Sequence, residues 1–293
     1  MSSYVKKLEE YLNTPKWMID NIMFEGITGS VAYGVSTDYS DMDIVGFCIP
    51  PKELVFPHLA GEIPGFGNQL KRFDVWQQHH IEYHKKTYDF AIYSIVKFFQ
   101  LCMENNPNMI DVLFLPRSCV LHSTQIYEHM RENRKIFLHK GCWFKFRGYA
   151  YSQLSKIRSK TNSSNPKRAA NIENYGYDVK FGYHLCRLLL EVEQIMAEGD
   201  LDLQRNSDIL NSIRNGEWEL DHLESWFQNK EKSLETLYAE SKLPERPKEG
   251  KIKSILMECL EMHYQDLSSM IKVAPEVNSI ISDLEALVQK YKV

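Results

Sequence analysis

Apolar and polar positions along this chain change rhythm near its middle, and the change outlines two kinds of structure. Residues 3–13 (SYVKKLEEYLN) place Tyr4, Leu8, Tyr11 and Leu12 at helical spacing, and Pro15 ends the run. Ile22 to Thr28 reads as a strand. Gly29-Ser30 follows, then one helical turn from Ser30 to Tyr33 that Gly34 closes. A second strand carries Asp41 and Asp43 and runs to about Ile49, where Pro50-Pro51 stop it. Residues 52–73 hold Pro57, Gly61, Pro64, Gly65 and Gly67 and read as a loop. His80–Asp89 reads as a strand and Ile92–Met103 as a helix burying Ile95, Val96, Phe99 and Met103, ended by Asn105-Asn106-Pro107. MIDVLFLP, residues 109–116, would cover the sheet edge or add a last strand.

From Ser123 onward the alternation disappears. Thr124–Glu132, Trp143–Lys156, Val179–Glu198, Glu219–Glu240 and Ile252–Tyr264 carry helical periodicity, with breaks at Ser163–Pro166 and Leu243–Pro247. The pattern predicts an α+β fold: a small mixed sheet with helices on one side over residues 1–120, then an all-helical part over 121–293. No Pro/Gly linker separates the two near residue 120, so they are expected to pack together.

Composition changes this picture little. With 293 residues, 43% hydrophobic and 25% charged, the chain can hold one large or two medium cores. No apolar run is long enough to span a bilayer, and MSSYVKKLEEYLN is no signal peptide. Six scattered cysteines without C-x-x-C spacing read as free thiols of a reducing compartment, which implies a cytoplasmic protein without a membrane partner.

Charge changes it more. The net charge is −4, yet residues 133–172 contain no Asp or Glu and ten of the 35 basic residues, leaving 25 basic against 39 acidic elsewhere. Lys156, Arg158 and Lys160 are the candidate RNA contacts in this window. Trp143, Phe144, Phe146, Tyr149 and Tyr151 lie among its cations, where bases can stack on such rings, although at least half of them are expected in the helical core.

The candidate chemistry lies in FEGITGSVAYGVSTDYSDMDIVGF, residues 24–47. Strand alternation points Asp41 and Asp43 one way and Met42 and Ile44 the other. Two adjacent carboxylates repel and are costly to bury unpaired. A divalent cation is the usual remedy: Mg²⁺ takes one or two carboxylates plus substrate phosphates, and Mn²⁺ suits the same oxygens. Gly29 lets backbone approach a ligand, and Ser30 offers an N–H and a hydroxyl to a phosphate. A D-x-D near a glycine is also a common surface turn, so these residues alone leave both readings open.

Strand, Gly-Ser, about ten residues and Asp-x-Asp on an apolar strand is an order that resembles the signature of the DNA-polymerase-β-like nucleotidyltransferases. The fuller string GSVAYGVSTDYSDMDIVG is similar to their RNA-repair-pathway branch, and the similarity continues through GYDVKFGYHLCRL, residues 176–188, to about Pro247. The resemblance implies a nucleotidyltransferase catalytic domain over 1–120 and a nucleotide- or RNA-binding helical domain over 121–293.

It also implies a third metal-binding acid on a neighbouring strand. Tyr88-Asp89-Phe90 matches that pattern, with Asp74 and Glu82 as competitors and a helix N-cap as the other role open to Asp89. Lys180, His184 and Arg187 fall at i, i+4 and i+7 on one helical stripe. Their chemistry fits a solvated basic face as well as a triphosphate grip, and the resemblance favours the grip. His79, His80 and His84 lack the acidic or cysteine spacing of a metal site.

The function so implied is Mg²⁺-dependent transfer of a nucleotide from a nucleoside triphosphate. The acceptor would be a hydroxyl at an RNA 3′ end, of tRNA or broken RNA. Nucleotidylation of a protein or small-molecule hydroxyl, or a non-catalytic nucleotide- or RNA-binding module, are the alternatives.

Overall fold

A five-stranded mixed sheet carries the first half of the chain in the computed structural model. The structure describes residues 3–37, 40–67, 69, 72–159, 166–265 and 284. The strands are β1 (Ile22–Ile27), β2 (Met42–Cys48), β3 (Val75–Tyr83), β4 (Lys86–Ser94) and β5 (Val120–Ser123), in the order β3-β4-β2-β1-β5. β2 and β4 run parallel at the centre, and the other pairings are antiparallel. The helices within the sheet half are α1 (Tyr4–Lys7), α2 (Gly29–Ala32), α3 (Lys52–Val55), α4 (Ile95–Met103) and α5 (Pro107–Leu113). Then come α6 (Gln125–Glu132), α7 (Gly141–Ser159), α8 (Pro166–Tyr175), α9 (Val179–Glu198), α10 (Ser207–Arg214), α11 (Leu220–Glu240) and α12 (Glu249–Tyr264). The architecture is the α+β one expected.

β2 is apolar on both faces because both faces are covered. Phe47 and Val45 join Phe24, Phe98 and Tyr127 in a core that continues without interruption into α7 and α9. On the opposite face Ile44, Cys48, Phe90 and Ile92 pack beneath Val5, Leu8 and Met18 of the N-terminal segment. Each such side chain withdrawn from water contributes about 1.5–3 kcal/mol. The buried carboxylate of Glu25 holds that segment down by accepting the backbone N–H groups of Tyr4 and Val5.

The first half departs from the expectation in several places. The strand expected over His80–Asp89 is the turn region of a β3–β4 hairpin. His84 and Lys85 both take positive φ, of 48° and 62°, a reversal their residue types do not advertise. The helix expected from Ile92 begins at Ile95, because Ser94 caps it by accepting the Lys97 N–H at 3.1 Å while Ile92 still faces the β4 core. Residues 109–116 form no strand. Asn106 and Pro107 start α5 there, and its residues are buried on nearly every side, which hides the helical period. The division expected at residue 120 cuts through β5, which pairs with β1 and extends the sheet to Ser123. Among the described residues three further helices, α3, α8 and α10, were not anticipated.

All six cysteines are buried free thiols. Among the described residues no helix is long and apolar enough to cross a membrane.

Candidate active site

β2 and β4 place Asp43 and Asp89 directly opposite each other in a parallel register. Both lie on the face that looks into a cleft of about 890 Å³ between the sheet and the helices, lined also by Gly29, Ser30, Asp41, Lys180 and His184. Asp41 sits just ahead of β2 and is exposed at the mouth. Burial, then the neighbouring charges of Asp89 and Asp41, push the Asp43 carboxyl up to about 6, and Lys180 and His79 oppose the shift.

The β1–β2 connection is built around Asp43. Thr28 donates its N–H to the Asp43 carbonyl at 2.8 Å. Gly29 takes φ +64°, and a Cβ there would stand 2.4 Å from Asp43 Oδ2. Only glycine therefore satisfies both the backbone and the carboxylate. Gly29→Ala is expected to cost about 1–2 kcal/mol of stability from the left-handed backbone alone. It should also lower the activity of the cleft by at least about tenfold as Asp43 is displaced. Thermal unfolding and turnover of the variant check both; a fully active Gly29→Ala would show that the close approach is incidental.

Asp89 is set by a bulge in β3 between Gln78 and Ile81. His80, at φ +59°, donates its N–H to Asp89 Oδ1 at 2.7 Å, and His79 Nδ1 lies 3.6 Å from the same oxygen. Ser94 caps the following helix, Glu82 accepts the Thr87 hydroxyl at 2.7 Å near the hairpin turn, and neither Glu82 nor Asp74 is among the described residues lining the cleft. Among the described residues no three His, Cys, Asp or Glu side chains converge closely enough to ligate one ion. The donor set nonetheless suits a hard cation: oxygen donors, three acids about one cavity, and a carboxyl whose proton affinity is raised by burial first and then by its like-charged neighbours.

The opposite wall comes from α8, α9 and α10. Gly176, at φ +78°, reverses the chain between α8 and α9, and buried Asp178 caps α9 by accepting the Lys180 N–H at 3.0 Å. Arg168 approaches Asp178 at 3.8 Å, so Arg168, Asn171 and Lys180 share the wall with Tyr183 and Arg214. His184 also lines the cleft, but burial first, then Arg187, Lys180, Arg214 and Arg168, depress its pKa well below the ordinary value. At neutral pH it is a neutral imidazole, not one of three cations.

Arg187 does not reach the cleft. Seven residues beyond Lys180, the helical stripe has passed beneath the loop after α2. There Arg187 is 5% exposed, paired with Asp111 at 2.5 Å and Glu191 at 3.0 Å, and it lies over the Tyr33 ring. The expected triphosphate contact at Arg187 is therefore replaced by a buried ion cluster. Arg168 and Arg214 supply cleft cations instead. Arg168 stood in the acid-free window, whereas nothing in the sequence marked Arg214.

That window loses much of its isolation in three dimensions. Lys135 pairs with Asp200, Lys140 with Glu245, Lys145 with Glu104, Arg147 with Glu231 and Glu235, and Arg158 with Glu224. The acids come from distant segments, so sequence separation concealed the neutralisation. Lys156 lies over the Phe181 ring at 5.6 Å, and Lys160 is outside the described residues. Of the five aromatics, Trp143 and Phe146 are core, while Phe144, Tyr149 and Tyr151 remain exposed.

One solved structure with which the chain shares some likeness is that of a nucleotidyltransferase-like protein from Exiguobacterium sibiricum, at 9% identity and a TM-score of 0.29, covering 80% of this chain and 72% of that one. No curated protein matches. The sequence matches the family description "RNA repair pathway DNA polymerase beta family" over residues 3–255. With the match spanning most of its length, this chain belongs to the RNA repair pathway DNA polymerase beta family and is a polymerase-β-like nucleotidyltransferase.

Proposed function

We propose that the enzyme transfers a nucleoside monophosphate from a nucleoside triphosphate to a hydroxyl at an RNA 3′ end, with Mg²⁺, or Mn²⁺ in its place, as cofactor. The observation that carries this reading is the pairing of Asp43 with Asp89 opposite Lys180 across a cleft floored by Gly29 and Ser30.

Gly29 and Ser30 receive the β- and γ-phosphates, since glycine lets backbone come close and Ser30 offers N–H and hydroxyl donors. Asp41, Asp43 and Asp89 hold the metal, which when bound offsets phosphate charge and lowers the pKa of the attacking hydroxyl. Lys180, with Arg168 and Arg214 beside it, faces the charge that develops on the leaving pyrophosphate. Neutral His184 serves as a hydrogen-bond partner. Asp89, fixed by the His80 N–H, can accept the hydroxyl proton. The chemistry needs positioning and charge, not a protein nucleophile.

Metal binding competes with the proton on Asp43, whose carboxyl titrates at about 6. Mg²⁺ affinity should therefore rise roughly tenfold per pH unit below 6 and flatten above it. Calorimetric titration with MgCl₂ between pH 5 and 8 checks this; affinity independent of pH across that range would remove Asp43 from the ligand set.

RNA is the favoured acceptor because the family is one of RNA repair. In this reading Lys156 and Arg158 touch the strand behind its end, Arg158 exchanging Glu224 for a phosphate. A second reading, transfer to a protein or small-molecule hydroxyl, draws on the neutralised basic window. Incubation with each labelled triphosphate, total RNA and cell extract, with and without Mg²⁺, separates them. Label on RNA supports the proposal, label on protein or in a low-mass product supports the second reading, and no transfer under any condition sinks both.

A further inference from the structure

Three successive residues of the loop between Gly-Ser and Asp-x-Asp, Tyr33, Gly34 and Val35, are tied to the helices α5, α9 and α10. The Tyr33 hydroxyl donates to Asp111 Oδ2 on α5 at 2.7 Å, and the Arg187 guanidinium of α9 lies 4.3 Å from the Tyr33 ring centre. The Gly34 carbonyl accepts from Asn211 on α10 at 3.4 Å, and the Val35 carbonyl accepts from Arg214 at 2.5 Å. The same loop is fused to the phosphate turn: Tyr33 N–H donates to the Gly29 carbonyl at 3.3 Å and Val35 N–H to the Ser30 carbonyl at 2.9 Å. What fixes Tyr33 thus fixes Gly29 and Ser30.

α9 carries both ends of this arrangement. Lys180 stands in the cleft at its N-terminus, and Arg187 is anchored seven residues on, about 10 Å along the axis. We propose that Tyr33, Asp111 and Arg187 form a positioning network that holds the phosphate turn at a set distance from Lys180. Arg187 is then a positioning residue, acting on the triphosphate through the loop. This inference rests on the reading of the cleft as a triphosphate site.

The network is not what packing alone would select. Arg187, Asp111 and Glu191 bury a guanidinium and two carboxyl groups at 5%, 2% and 3% exposure. Asp111 Oδ1 and Arg187 Nε have no hydrogen-bond partner among the described residues. Apolar side chains of similar volume commonly serve such a site as well or better. Unsatisfied buried polar atoms call for a role other than stability.

Tyr33→Phe is the incisive variant, because it removes one hydroxyl, keeps the ring beneath Arg187 and should fold. The measurement is affinity for Mg²⁺ with ATP, CTP, GTP and UTP in turn, by calorimetry, alongside thermal unfolding and label transfer. Tyr33→Phe should remain folded yet bind the preferred triphosphate about tenfold more weakly, with a lower kcat. Lys180→Ala should add less in the Tyr33→Phe background than in the parent, since both changes spoil the same contact. Arg187→Lys should restore part of what Arg187→Met loses. Unchanged affinity and kcat in Tyr33→Phe, or fully additive effects with Lys180→Ala, would overturn the proposal. An Asp43→Asn control keeps the failures apart. If that control stays active, or the parent binds none of the four triphosphates, the cleft reading itself falls. If it is inactive while Tyr33→Phe behaves as the parent, only the positioning claim falls.

Discussion

Asp43→Asn is expected to lower nucleotide transfer about 10³-fold or more while making the metal-free protein more stable. The loss follows from place: Asp43 is the innermost acid of the trio, opposite Asp89 and pressed against Gly29. A 10³-fold loss is about 4 kcal/mol of transition-state stabilisation, the scale of removing one charged group from a preorganised site. The gain in stability follows from the carboxyl's titration. Its folded pKa, about 6, stands above the ordinary 3.8, so its contribution to stability is fully present below pH 3.8 and is lost as pH rises through 6. Above pH 6 the ionised Asp43 costs the fold about 2–3 kcal/mol, from about two pKa units at 1.36 kcal/mol each. Asparagine removes that cost. Denaturant unfolding in EDTA should show the variant ahead of the parent at pH 7.5 and level with it near pH 4. A variant destabilised at pH 7.5 would mean that the carboxylate is already compensated in the free protein.

The second large effect is on folding. Arg187→Ala should destabilise the protein by about 3–5 kcal/mol, the usual cost of leaving buried charges without their partner. Asp111 and Glu191 are both pushed above the ordinary carboxylate range by burial, and Arg187 opposes the shift in each. Without the guanidinium they must take up protons or lose the fold, so the deficit should be larger at pH 8 than at pH 5. Equilibrium denaturation at the two pH values measures it. A loss below about 1 kcal/mol at pH 8 would show that water or a rearranged side chain replaces Arg187 at little expense.

The two variants fail in different places, and the difference shows what could be read in advance. Gly29, Ser30, Asp41 and Asp43 were legible because their chemistry is local: a strand, a turn needing positive φ, and acids two residues apart. Asp89 was legible as a type of residue in a type of place, although the strand around it was misplaced by the unheralded turn at His84-Lys85. Lys180 and His184 were visible as a stripe on a helix. Their fates were not, since the stripe gives direction about the axis and says nothing of what lies over each turn.

The α+β class, the long helices and the motif order followed from the sequence alone, because hydrophobic period and local φ preferences act over a few residues. Tertiary structure alone decided which charges meet. It put Arg187 over the Tyr33 ring beside Asp111, 76 residues away, and brought Arg214 to the loop 179 residues before it. It likewise set Glu231 against Arg147 and Glu224 against Arg158, so that an acid-free stretch became a largely neutralised surface. Coulomb interaction depends on separation in space. The chain's pattern records separation along itself, and the two coincide only where the backbone is locally regular.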